Sequence, residues 1–171
     1  MNAYMAQPCS RLDLRRLAMD IRYKLGLEKE LFFPIVQFLE LMSEIFPKFY
    51  FEVVEDYILP RGVHADTNIE NHLIRIKQSV YDGACADNGR DRMTIAHEIG
   101  HYLLLCVWGF RIQRNFMGTS IPTYQDPEWQ AKCFAGELLI PAHLVKGMDP
   151  IEISDLCGVS LSAAKTQWNK L

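Results

Sequence analysis

The sequence predicts an α+β fold, on three observations. Apolar residues recur at helical spacing through the first third of the chain. The period then shortens to that of strands between about residues 49 and 81, and returns to helical spacing from about residue 91 onward. From Arg11 to about Leu25, Leu14, Leu17, Ala18, Ile21 and Leu25 fall on one helical face, with Arg15, Arg16 and Arg22 on the other, a solvated basic face. Gly26 ends that helix. Pro34 suits the start of a second, whose buried face is Ile35, Phe38, Leu39, Met42 and Ile45, and Pro47 stops it.

Phe49 to Glu55 is aromatic and β-branched, which favours a strand. Pro60-Arg61-Gly62 and the polar stretch from Ala65 to Asn71 read as turn and loop. A second strand is expected from His72 to about Tyr81, with Ile74, Ile76 and Val80 alternating against Arg75, Lys77 and Ser79. Asp82-Gly83 and Asn88-Gly89 read as tight turns. A helix then runs from Asp91, its expected N-cap, to Cys106, closed by Trp108-Gly109. An irregular segment leads to Asp126-Pro127, a cap followed by proline in the first turn, and that helix continues to Leu139 before Pro141. Two short helices are expected near 149–156 and 161–171. With no repeat, low-complexity tract or linker, residues 1–171 read as one domain: helices to about 46, sheet about 49–81, helices about 91–140 and short helices about 141–171.

A length of 171 residues suits one domain with a proper core, and 49 % apolar with 23 % charged residues is ordinary globular usage. The net charge of −3 argues against a global field for nucleic acid or anionic lipid. Five cysteines, none in a CxxC pair, exclude a thiolate zinc ribbon and read as reduced thiols. The N-terminal residues lack the apolar core of a signal peptide, and no run is long enough to span a bilayer. The expected location is cytoplasmic. Residues 153–171 superficially resemble a helix-turn-helix, but the second helix offers only Lys165 and Lys170 as cations, so no direct nucleic-acid contact is expected.

The chemistry sits in His97-Glu98-Ile99-Gly100-His101. Histidines four apart lie one turn apart on one helix face, so both imidazoles reach the same ion. Zn²⁺ suits imidazole, and a catalytic site takes three protein ligands and keeps one position for water, whose pKa falls to about 7. Glu98 is placed to take that water's proton as general base. A bland alternative, two solvated histidines, fits poorly with Ile95, Ala96, Ile99, Leu103, Leu104 and Leu105 around them, because buried histidines need partners. Gly100, a poor helix former, implies close approach of another backbone. The third ligand has four candidates on spacing: Asp126, Glu128, Glu137 and His143. Glu128 in a first helical turn is equally explained by the helix dipole.

Arg90 to His101 is similar to the RxRFTxAHELGH block of the ImmA/IrrE metallopeptidase family, and Glu128 to Pro141 resembles its ExEAxxFAxxLLxP block. Val159-Ser160 and Ala163-Ala164 resemble its VSxxAxxxR tail. The likeness covers about Ile74 to the C-terminus. It implies His97, His101 and Glu128 as zinc ligands and Glu98 as the catalytic residue. It also implies a zincin-like fold with a short sheet beside the HExxH helix, and a protein substrate, a helix-turn-helix repressor of Xre or cI type. Two positions depart from the pattern. Gln130 replaces an acidic residue, which implies a changed hydrogen bond behind the ligands. Leu105-Cys106 stands where members often carry histidine. By analogy with zincins an edge strand pairs with the extended substrate, and His72–Tyr81 is the candidate. Tyr102, Tyr124 and His143 are the candidate oxyanion donors. His64 and His72 read as solvated. The alternative function is a non-proteolytic zinc-containing module that sequesters a repressor or toxin–antitoxin partner.

Overall fold

The computed structural model describes residues 4–109, 112–114 and 120–171. In chain order they form β1 (Tyr4–Ala6), α1 (Arg11–Lys24), α2 (Ile35–Ile45), β2 (Tyr50–Val54), β3 (Ala65–Asn68), β4 (Leu73–Lys77) and α3 (Gln78–Cys85). There follow α4 (Gly89–Tyr102), β5 (Ile112–Arg114), α5 (Pro127–Leu139), α6 (Pro150–Cys157) and α7 (Leu161–Trp168). The fold is α+β, with a three-stranded sheet beside the helices as in a small zincin-like domain. None of the described helices is long and apolar enough to cross a membrane.

The sheet runs in the order β2–β4–β3, with β2 and β4 parallel and β3 antiparallel to β4. This corrects two expectations. Residues 65–68 are a strand, paired Ala65 to Ile76 and Thr67 to Ile74, and locked by Arg75 Nε donating to Asp66 Oδ1 at 2.9 Å. Polar composition hid it, because a short edge strand needs an apolar face on one side only. The second strand ends at Lys77 rather than Tyr81. Ile74 and Ile76 are buried with strand period, whereas Val80 and Ala84 are buried with helical period, so Asp82-Gly83 lies inside α3.

The HExxH helix, α4, starts two residues before the expected Asp91. Asn88 is its cap, accepting from the backbone N–H groups of Arg90 and Asp91, so the chemistry that suggested a turn there starts a helix instead. Its α-helical part ends at Tyr102. One π-helical turn follows over Leu103–Val107, with Trp108 N–H donating to the Leu103 carbonyl at 2.9 Å. α5 is as expected: Asp126 accepts from Glu128 N–H, Pro127 opens the helix and Leu139 ends it. The segment expected to be irregular holds β5, which pairs antiparallel with β1, and a 3-10 turn at Thr123–Gln125. Residues 110–111 and 115–119 of that segment fall outside the described residues.

The α1 basic face is not simply wet. Arg22 is buried, donating to the carbonyls of Leu138, Leu27, Glu30 and Leu31, and burial pulls its pKa down to about 10. Arg11 and Arg15 pair with Glu137 of α5 at 2.9 and 2.8 Å. These three arginines clamp α1 to the helix that carries Glu128, because guanidinium can satisfy several acceptors at once. On the far side, Arg92 of α4 is also buried and donates to the Gly158 and Phe33 carbonyls at 2.8 and 2.9 Å. It fixes the α6–α7 turn, where the Val159–Ser160 backbone leaves no room for a Cβ on Gly89.

Candidate metal centre

The two helices that matter touch where side chains are smallest. A Cβ on Gly100 would meet Phe134 Cδ1 at 3.1 Å, Ala131 O at 3.2 Å and Ala131 Cα at 3.3 Å. α5 therefore crosses α4 directly over its HExxH turn, the close backbone approach that a mid-helix glycine implies. Glu128 stands three residues before Ala131 and so overhangs the histidine face of α4.

His97 and His101 bring their Nε2 atoms to 3.1 Å. The Glu128 oxygens complete the cluster, at 3.3 Å from His97 Nε2 and 3.2 Å from His101 Nε2. One donor atom from each residue lies within 4.8 Å of the others, a group able to hold a metal ion. Donors about 2.0–2.1 Å from a tetrahedral zinc stand about 3.3–3.4 Å from one another, close to these separations. Two nitrogen lone pairs and a carboxylate converge here, and without a cation they need protons between them. The donor set fits zinc. Hydrogen bonds from His101 and His97 hold the Glu128 carboxyl well below the usual carboxylate range. The histidine side chains are 17 % and 13 % exposed against 50 % for Glu128, so the cluster opens outward.

That opening is a cleft of about 850 Å³, lined on one wall by residues 62–67 and Ile69, and on the other by Thr94, Glu98, Leu105, Pro127 and Lys132 around the cluster. Glu98 is buried, and Thr67 Oγ1 lies 2.7 Å from its Oε2 and donates to it. Thr67 was not singled out in the sequence, where a lone threonine in a polar stretch carries no signal.

Of the four candidate third ligands, Glu128 alone joins the histidines. Asp126 caps α5, Glu137 pairs with Arg11 and Arg15, and His143 Nε2 is 2.9 Å from the Glu28 carbonyl. The oxyanion candidates need correction, since Tyr102, Tyr124 and His143 do not line the cleft. Tyr102 is buried against Phe46 and Phe49, with its hydroxyl 3.3 Å from His72 Nδ1, so His72 is not simply solvated either. The side-chain donors lining the cleft among the described residues, besides the cluster and Thr67, are instead His64 and Lys132, since the Thr94 hydroxyl donates to the Arg90 carbonyl at 3.1 Å. Gln130 does not stand behind the ligands: its amide donates to the Gln7 and Tyr124 carbonyls at 2.7 and 2.8 Å, tying the N-terminal segment to α5. The edge strand beside the cleft is β3, since β4 is central.

No curated protein sequence matches the chain. Among solved structures it is similar to a Mycobacterium tuberculosis transcriptional regulator, at 16 % identity and a TM-score of 0.61. The match covers 91 % of this chain and 46 % of that one, so this chain spans about half the length of that relative. At that identity the likeness concerns the fold. Residues 61–168, more than half of the chain and all of its candidate centre, match the family described as IrrE N-terminal-like domain, peptidase M78. The chain belongs to that ImmA/IrrE family, which is zinc-associated and metallopeptidase-like.

Proposed function

We propose that this chain is a zinc-dependent endopeptidase, with His97, His101 and Glu128 as the metal ligands and Glu98 as the general base. The observation that carries the proposal is the pair of Nε2 atoms of His97 and His101 at 3.1 Å, each with one of the two Glu128 oxygens at 3.3 and 3.2 Å, opening on one side into the cleft. A catalytic zinc site takes three protein ligands and leaves a position for water, whereas a structural site is closed by four.

Zinc, when bound, supplies Lewis acidity to a water and to a peptide carbonyl. The chain's own residues supply the rest. Glu98 takes the proton of the attacking water and passes it to the leaving amine. Thr67 fixes the Glu98 carboxylate through the 2.7 Å hydrogen bond. The edge of β3 that pairs with no other strand among the described residues offers backbone N–H and C=O groups along the cleft, where an extended peptide can add as a further strand. Residues 1–171 act in this reading as one domain in the cytoplasm.

The proposed substrate is a helix-turn-helix repressor of Xre or cI type. Family membership supports it, together with the fold shared with a protein described as a transcriptional regulator. That same likeness favours a second reading, a zinc-containing module that sequesters a repressor or toxin–antitoxin partner without cleaving it. Glu98→Gln separates the two. The peptidase reading expects this variant to keep zinc and lose cleavage of a co-expressed repressor; a fully active Glu98→Gln protein, or repressor inactivation that survives it, would favour the sequestering module.

A further inference from the structure

The cleft continues past the histidines. Beyond His97 lies a second cavity of about 260 Å³, lined by Arg90, Met93, Thr94, His97, Lys132 and Ser160. Thr94, His97 and Lys132 line both spaces, so the two form one path. Two cationic residues, Arg90 and Lys132, line the second space, with no acid among its described lining residues.

Those cations are available. Glu128 and Lys132 stand four apart on α5, the order that ordinarily pairs on a helix surface. Here the Glu128 oxygens face His97 and His101 instead, and no carboxylate pairs with Lys132 among the described residues. Arg90 has Nη2 3.3 Å from His64 Nε2 and likewise pairs with no carboxylate among the described residues, while nearby Asp87 lies 3.8 Å from Arg92. The acids of the main cleft are engaged as well: Asp66 by Arg75, Glu98 by Thr67 and Glu128 by the histidines. Ser160 Oγ accepts from Ala163 N–H as the cap of α7, which leaves its O–H hydrogen to donate. Met93 gives an apolar side for methylene groups. Two cations, a hydroxyl donor and an apolar wall are the chemistry of a side-chain carboxylate site.

We propose that this second cavity is a substrate subsite that takes an Asp or Glu side chain of the bound peptide, close to the scissile bond. The proposal deepens the peptidase reading and rests on it for the position of the peptide. It makes Arg90 and Lys132 specificity-determining residues, and it places the acidic residue on the side of the bond lying toward α7.

The test has two arms. In the first, zinc-loaded wild-type protein digests a mixed-sequence peptide library, and the cleaved products are sequenced by mass spectrometry. In the second, zinc-loaded Glu98→Gln protein binds fluorescein-labelled octapeptides of Ala, Ser and Thr carrying one Glu, or Gln in its place, read by fluorescence anisotropy at low salt. Asp and Glu should be enriched at one position beside the cut, and the best Glu peptide should bind about tenfold tighter than its Gln counterpart. Arg90→Gln with Lys132→Gln should reduce that ratio to about one. Cleavage without acidic enrichment, or a Glu preference that survives both substitutions, would overturn the subsite and leave the peptidase reading intact. A Glu preference without any cleavage would instead count against the peptidase and retain the carboxylate site.

Discussion

The Thr67 hydroxyl donates to Glu98 Oε2 across 2.7 Å, joining the outer strand of the sheet to the glutamate that follows the first histidine of HExxH. This bond is the only described side-chain hydrogen bond to the Glu98 carboxylate, and it comes from the strand that borders the cleft. A base that is held in one rotamer loses less entropy on reaching its proton, and a hydrogen bond to a charged group contributes about 1.5–3 kcal/mol. Thr67→Val, which keeps shape and removes the donor, should lower kcat for peptide cleavage by about tenfold with KM little changed. Thr67→Ser should restore most of the rate. Steady-state kinetics on one fluorogenic peptide checks both, and an unchanged kcat in Thr67→Val would remove Thr67 from the mechanism.

Gly100 tests how the proposed third ligand is brought in. Replacing it with valine puts branched carbons where Phe134 Cδ1 and the Ala131 backbone stand about 3.1–3.3 Å from the Cβ position, so α5 must move away from α4. Glu128 rides on α5, and zinc affinity should fall by more than tenfold, with a stability loss of about 1–3 kcal/mol. Competition with a chromophoric chelator reads the affinity, and circular dichroism should show the helices retained. Unchanged affinity would mean that the α4–α5 contact does not set the position of Glu128.

The thiols give a pH dependence with a definite sign. Burial pushes Cys9, Cys133 and Cys157 from an ordinary value near 9 up to about 11. A raised folded-state pKa means that the unfolded chain releases protons first as pH rises. Their contribution to stability is therefore full below about pH 9 and is lost between about pH 9 and 11. Chemical denaturation midpoints should fall across that window, and less so when all three are replaced by alanine or valine. At pH 8 a thiol reagent should label exposed Cys85 in the native protein and reach Cys9, Cys133 and Cys157 only on unfolding.

Much of this was legible in the sequence, for identifiable reasons. Helices α1, α2, α5, α6 and α7 announced themselves by apolar period and caps. The relation of His97 to His101 followed from helix geometry alone, and Gly100 signalled a close neighbour. The rest depended on tertiary placement. A four-residue edge strand of Ala-Asp-Thr-Asn has too little apolar content to show as a strand, so in sequence β4 reads as the edge and Thr67 carries no signal. The change from β4 to α3 was masked because Val80 fits either period. Arg22 and Arg92 look solvated in sequence, since nothing local tells that distant carbonyls will surround them. Choosing Glu128 over Asp126, Glu137 and His143 needed a resemblance in sequence and, in three dimensions, the crossing of two helices.

The central claim is that His97, His101 and Glu128 together hold one zinc ion. Titration of zinc into metal-free protein, followed by isothermal calorimetry, tests it most directly. The expected result is one site per chain, with affinity lowered at least tenfold in Glu128→Ala and abolished in His97→Ala and in His101→Ala, while Glu98→Gln binds as the wild type does. Undiminished zinc binding in His97→Ala or in Glu128→Ala would contradict the account.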